Sequence, residues 1–181
     1  HKHEVMLLVD NAHGAYLKFL PESKHPIDLG ADICCDSAHK TLPALTGAAY
    51  LHLSENLPSI YLNAVKDALI QFGSTSPSYL ILQSLDRLND YLAGDYCSIL
   101  QKFINDVDRL KVELSLHGYS LSETEKLKIT INTKHCGYYG YDFAQELYNR
   151  GVVCEYCDPD YVVLMLTPEN NEGIRRLKDC L

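Results

Sequence analysis

The apolar run Val5-Met6-Leu7-Leu8-Val9 is unbroken, and it predicts a strand over Glu4 to Val9 buried on both faces in a parallel sheet. The polar, small-residue segment Asp10-Asn11-Ala12-His13-Gly14 follows as a loop. Gly30 to Cys35 reads as a second short strand, succeeded at once by Asp36-Ser37-Ala38-His39-Lys40, and Thr46 to Leu53 as a third. Residues 59–72 read as a helix ended by Gly73. Ser76 as N-cap and Pro77 at the first helical position open the next helix, which runs to about Leu92. Ile99, Leu100, Phe103, Ile104, Val107, Leu110 and Leu114 form a 3.6-residue stripe on a long helix closed by Gly118.

The pattern then changes. Leu127 to Thr133 alternates as a half-buried strand does, and Tyr141 to Arg150 is helical. Val152 to Cys154 and Tyr161 to Leu166 read as strands around the turn Asp158-Pro159-Asp160, and Asn170 to Leu181 as a final helix. The expected organisation is an α/β first domain over residues 1–93 and a smaller α+β domain over 94–181.

Composition narrows the function classes. The chain has 181 residues, 24 acidic against 16 basic, and a net charge of −8. That balance argues against a broad nucleic-acid surface, and no apolar run has the length of a membrane span. The seven cysteines are scattered and odd in number. Cys34 and Cys35 should face opposite sides of a strand. Cys154-Glu155-Tyr156-Cys157 has metal-type spacing but lacks a second pair, His135-Cys136 being its nearest candidate partner, so the cysteines read as small core residues and no metal is expected. An odd count without a secretory signal fits a reducing cytoplasm. The opening His1-Lys2-His3, without a Met start, and a last helix without a terminator lead us to expect a piece of a longer protein.

Two parallel strands ending in polar loops would bring Asp10, Ser37, His39 and Lys40 to one sheet edge, where ligands of open α/β sheets bind. A buried carboxylate, a hydroxyl, an imidazole and an amine suit an aldehyde cofactor with a pyridine ring and a phosphate. By spacing alone, ordinary solvated loop residues fit these positions as well.

The blocks Val9-Asp10-Asn11-Ala12-His13-Gly14-Ala15-Tyr16, Gly30-Ala31-Asp32, Ser37-Ala38-His39-Lys40-Thr41-Leu42-Pro43-Ala44-Leu45-Thr46, Ser74-Thr75-Ser76-Pro77-Ser78-Tyr79 and Ser84-Leu85-Asp86 closely resemble the ornithine/lysine/arginine decarboxylase family. Gly137 to Tyr141 and Cys157 to Leu164 resemble that family's smaller domain, so the resemblance covers nearly the whole chain. It implies the aspartate-aminotransferase-like fold (fold type I), here the second half of the large domain with a mostly parallel sheet, plus the small domain. It also implies pyridoxal 5'-phosphate (PLP), release of CO2 from lysine, arginine or ornithine to give a diamine or agmatine of polyamine metabolism, and a homodimer or higher oligomer with shared sites.

Carried over residue by residue, Lys40 resembles the Schiff-base lysine and the proton carrier of the return step. Asp10 resembles the partner of the pyridine nitrogen, and Ala12 the small residue packed on one ring face. Ser37 and His39 resemble phosphate ligands, while Ser74, Thr75 and Ser76 resemble a loop reaching the neighbouring subunit's phosphate. His13 lies beside the site as a substrate or cofactor contact or as a structural residue. The family's main phosphate loop and its ring-stacking aromatic residue precede the Asp-bearing strand, and residues 1–9 supply neither. Glu155, Asp158 and Asp160 are candidates for gripping a distal cation, or plain turn charges. The alternatives are another fold type I enzyme, such as an aminotransferase or aldolase-like enzyme, and an inactive fragment.

Overall fold

A computed structural model describes residues 5–181. The chain divides into two compact units, the first reaching Cys97 and the second Ser98–Leu181.

The first unit holds β1 (Leu8–Asp10), a 3-10 helix (Ala15–Phe19), β2 (Ile33–Asp36), α1 (Ala38–Thr41), β3 (Tyr50–Leu53), α2 (Ser59–Phe72) and α3 (Tyr79–Ala93). Its sheet has the order β1-β2-β3. β1 and β2 are parallel, with Asp10 opposite Cys35, and β2 and β3 are antiparallel, with Asp36 opposite Tyr50. The expected mostly parallel pattern is therefore not met within these three strands. The connection after β2 contains one four-residue helical turn, which does not carry the chain back to the start of β2, so β3 returns antiparallel.

The first strand also differs from expectation. Glu4 lies outside the described residues, the paired segment is Leu8–Asp10, and it is not buried on both faces. Among the described residues β1 pairs on one side only, and Val5, Leu7 and Leu8 are 64%, 48% and 61% exposed. Helix α2 has the predicted span and ends at Gly73, but none of its residues is buried. Helix α3 starts later than predicted, with Ser78 at the N-cap. The reason is local: the Ser76 N–H bonds Ser74 Oγ at 3.2 Å, closing a serine turn before Pro77. Pro77 in turn disfavours helical geometry at Ser76. The core of this unit is small and aromatic. Tyr16 and Tyr96 are fully buried, with Phe19 and Tyr91 edge-on to Tyr96 at ring distances of 5.1 and 5.4 Å.

The second unit follows the sequence pattern more closely. Helix α4 (Tyr96–Leu116) buries Leu100, Phe103, Ile104, Val107, Leu110 and Leu114, the predicted stripe apart from the exposed Ile99. The antiparallel sheet β4-β5-β7-β6 comprises β4 (Leu121–Ser122), β5 (Lys128–Asn132), β7 (Tyr161–Met165) and β6 (Tyr156–Cys157). Helices α5 (Gly140–Asn149) and α6 (Asn171–Cys180) complete it. Ile129, Ile131, Val162, Leu164, Phe143, Leu147 and Leu177 join the α4 stripe among the buried residues.

The strand expected at Val152 to Cys154 lies instead at Tyr156–Cys157. Two constraints move it. The Val152 N–H bonds Leu147 O at 2.9 Å and so belongs to the C-terminal cap of α5, with Gly151 at φ 81°. The Asp158 carboxylate accepts the N–H groups of Asp160 and Tyr161, both at 2.8 Å, which locks a tight turn and makes the residues beside it the ones that pair.

The burial contrast predicts a stability contrast. Ile131→Ala should cost about 3 kcal/mol in urea denaturation. Ile70→Ala, on the 78% exposed face of α2, should stay within about 0.5 kcal/mol.

Candidate functional site

The parallel pair β1–β2 aligns its two carboxyl ends, and the pairing continues one step past the strands through the Asn11 N–H to Cys35 O bond of 2.9 Å. Two polar turns emerge side by side. The first, Asn11 to Gly14, closes with the Gly14 N–H on Asn11 O at 2.8 Å. A Cβ at Gly14 would stand 1.9 Å from Asn11 Oδ1, so a side chain there would require the Asn11 amide to move. The second turn leads through Ser37, at the N-cap position, into α1.

These turns bring His13 and Lys40 together: Lys40 Nζ stands 3.1 Å from His13 Nε2, both residues half-buried. His39 lies on the same helical turn as Lys40, and its Nδ1–H donates to Ala48 O at 3.0 Å. A carbonyl only accepts, so the Nδ1 proton is assigned, and Nε2 donates only when the ring is an imidazolium. Ala12 and Ser37 are half-buried in the same two turns. Ser74, Thr75 and Ser76 are exposed between α2 and α3, and the hydrogen bond of this loop is internal.

Asp10 was expected as a buried carboxylate. It is exposed, because the strand alternation puts it in phase with Cys35, also exposed, on one face of the sheet. The buried carboxylate is Asp36, on the reverse face with Cys34, its side chain only 3% exposed. Asp36 accepts from Asn11 Nδ2 at 2.7 Å, from His25 Nε2 at 2.9 Å and from His52 Nε2 at 3.0 Å. The Ile27 N–H reaches His25 Nδ1 at 3.3 Å, which places the remaining proton on Nε2, facing Asp36. Burial pulls the Asp36 pKa up, but the bonds from His52, His25 and Asn11 outweigh it and hold the value down at about 2. The Cys34 thiol, 3.6 Å from Asp36, is pushed up to about 12 by burial and by the neighbouring carboxylate. A cavity of about 670 Å³ adjoins this cluster, lined by Lys18, Phe19, His25, Asp36, Tyr50 and His52 among others.

Sequence reasoning did not single out Asp36, His25 or His52. The alternation along Ile33–Asp36 was the available signal, since the face opposite Asp10 and Cys35 had to carry Asp36 inward. Cys34 and Cys35 do fall on opposite sides, buried and exposed, and all seven cysteines are free thiols. In the second unit Asp158 serves the turn described above, and Asp160 pairs with Lys134 at 3.1 Å. No helix among the described residues is long and apolar enough to cross a membrane.

The Asp36 cluster ties the turn after β1 to the end of β2, so its removal should be felt globally. Asp36→Ala leaves one amide and two imidazole donors without their acceptor, and should cost about 3 kcal/mol in denaturant. Because the folded pKa is depressed below 3.8, the stability from this carboxylate is present above that value and lost as the pH falls towards 2. Acid unfolding of Asp36→Ala should lack that component.

Comparison with known proteins adds the lineage. Residues 1–132 match the family described as Orn/Lys/Arg decarboxylase, major domain. An uncharacterized protein of Bacillus subtilis, YaaO, is 34% identical over 178 residues, covering 92% of this chain and 36% of the relative. An arginine decarboxylase of the same organism is 29% identical, covering 96% of this chain and 38% of its own length. The chain thus spans little more than a third of these relatives. The crystal structure of the Francisella novicida lysine decarboxylase LdcF superposes with a TM-score of 0.77 at 18% identity, over 97% of this chain and 32% of that one, and so shares the mixed α/β fold. With its major-domain match running over residues 1–132, the chain belongs to the Orn/Lys/Arg decarboxylase family.

Proposed function

We propose that this chain is the lysine-bearing part of a PLP-dependent decarboxylase acting on a basic amino acid, lysine, arginine or ornithine. In this reading residues 1–93 form the second half of a fold type I large domain and 94–181 its small domain. The observation that carries the proposal is the convergence at the ends of β1 and β2: Lys40 against His13, with Asp10 closing the neighbouring parallel strand. The donor set fits the cofactor, because an exposed carboxylate ends β1 and an amine, a hydroxyl and an imidazole follow the adjacent end of β2.

When bound, pyridoxal phosphate supplies an electron sink for bond cleavage at the substrate α-carbon. Lys40 would supply the amine that holds the cofactor aldehyde and, as the ammonium, a proton for the substrate α-carbon. Asp10 holds the pyridine nitrogen protonated, and its exposed position at the strand end leaves it accessible from that face. Ala12 offers a small side chain for a ring to pack against. Ser37 donates its hydroxyl to the phosphate. His39, its Nδ1 committed to Ala48, has Nε2 left for a phosphate. His13, in contact with Lys40 Nζ, orients that amine and contacts substrate or cofactor. Ser74, Thr75 and Ser76, exposed on their loop, suit the phosphate of a second subunit in a homodimer or higher oligomer. Free thiols throughout accord with a reducing cytoplasm.

Two measurements test this reading. Titration with pyridoxal phosphate should produce a visible absorbance band. Borohydride reduction should then leave the adduct mass on Lys40, while Lys40→Ala loses both. An adduct scattered over surface lysines would overturn the assignment. CO2 should be released from one of the three basic amino acids, and formation of a keto acid instead would indicate an aminotransferase. In the active preparation His13→Gln should retain the Lys40 adduct but lower kcat on the order of 100-fold.

A further inference from the structure

The reverse face of the first sheet carries a second cluster that the decarboxylase reading does not use. His25 Nε2, one Asp36 carboxylate oxygen and Cys34 Sγ all lie within 4.8 Å of one another, and all three residues are buried. The separations are 2.9 Å from His25 Nε2 to Asp36 Oδ2, 3.6 Å from Cys34 Sγ to Asp36 Oδ1 and 3.9 Å from Cys34 Sγ to His25 Nε2. We propose that His25, Cys34 and Asp36 form a binding site for a divalent transition-metal ion, zinc foremost, separate from the Lys40 turn.

The donor chemistry supports this. Imidazole nitrogen, thiolate sulfur and carboxylate oxygen are the three ligand types zinc takes, and a mixed set excludes the hard oxygen-only preference of calcium and magnesium. The spacing agrees as well. Bonds of about 2.0–2.3 Å in a tetrahedron put ligand atoms roughly 3.3–3.6 Å apart; the 3.9 Å between Cys34 Sγ and His25 Nε2 lies close to that range, and one Asp36 oxygen lies within 4.8 Å of both.

The surroundings are those of a supported site. Asn11 Nδ2 donates to Asp36 Oδ1, and His52 Nε2 stands 3.0 Å from Oδ2, so the carboxylate is oriented by side chains from two further elements. The adjoining cavity of about 670 Å³, lined by His25, Asp36 and His52, provides an entry path and room for water at the fourth position. Binding forms a metal–sulfur bond in place of the Cys34 S–H bond, with the proton leaving to solvent. The His25 proton moves from Nε2 to Nδ1, which gives up the 3.3 Å contact from Ile27. The bound ion cross-links the His25 loop to β2 and thereby braces the strand that leads into Ser37 and Lys40. Cys34 and Asp36 are in phase with each other and out of phase with Asp10 and Cys35, so the ion would sit on the sheet face opposite Asp10.

The test needs no cofactor. The metal-free chain is titrated with Co2+ and then Zn2+. We expect one equivalent bound tightly, a thiolate-to-cobalt charge-transfer band, and a raised thermal midpoint. Cys34→Ser should abolish the band, and His25→Gln should weaken zinc affinity roughly 100-fold. The double variant Cys154→Ser/Cys157→Ser should change neither. A band that survives Cys34→Ser, or disappears with Cys154 and Cys157, overturns the proposal. X-ray absorption of the unmutated zinc-loaded chain reads the site without relying on variants that fold. One sulfur among nitrogen and oxygen neighbours is the expected shell, and two sulfurs or none overturns it.

Discussion

The Asp36 carboxylate organises the first unit. It is removed from water, yet three hydrogen bonds from three separate segments keep it ionised: the turn after β1, the loop before β2 and strand β3. A buried anion held this way is costly to leave partly unsatisfied, so the three segments must arrive together. Their positions in turn set where the ends of β1 and β2 point, and hence where Asp10, His13 and Lys40 meet solvent. The candidate chemistry at the front of the sheet rests on an electrostatic anchor at its back.

Much of this was legible in the sequence, for specific reasons. The α4 stripe was readable because a helix buried along one face repeats its apolar residues at a fixed angle. The Lys40 turn was readable because its residue types have few other uses in that order. What was not legible depended on partners distant in sequence. Asp36 was passed over because a lone Asp before Ser37 gives no sign that His25 and His52 will face it. The shift of β6 was set by a side chain, Asp158, bonding two backbone N–H groups, and apolar patterning does not record that. The late start of α3 likewise reflects a serine turn rather than the Ser-Pro signature itself.

The two units differ in how far they satisfy themselves. The second buries apolar residues of α4, α5, α6 and its sheet alike. The first leaves Ile60, Ile70 and Phe72 of α2 at 71%, 78% and 83% exposure and β1 open along one edge. Apolar periodicity alone reads both as core, and an exposed apolar face is ordinarily a place where more protein belongs. This is consistent with a chain that spans little more than a third of its relatives.

The approach of Gly14 to Asn11 bears on how this turn can vary over time. No side chain fits at position 14 while Asn11 keeps its place, because a Cβ would occupy the space of the Asn11 amide. Asn11 cannot be shortened freely either, since its Nδ2 holds Asp36. Asn11 thus blocks change at Gly14, while Asp36 holds Asn11 in place. The dependence runs one way, so lineages that replace Gly14 should also have replaced Asn11, whereas Asn11, at the loss of its bond to Asp36, can change with Gly14 kept.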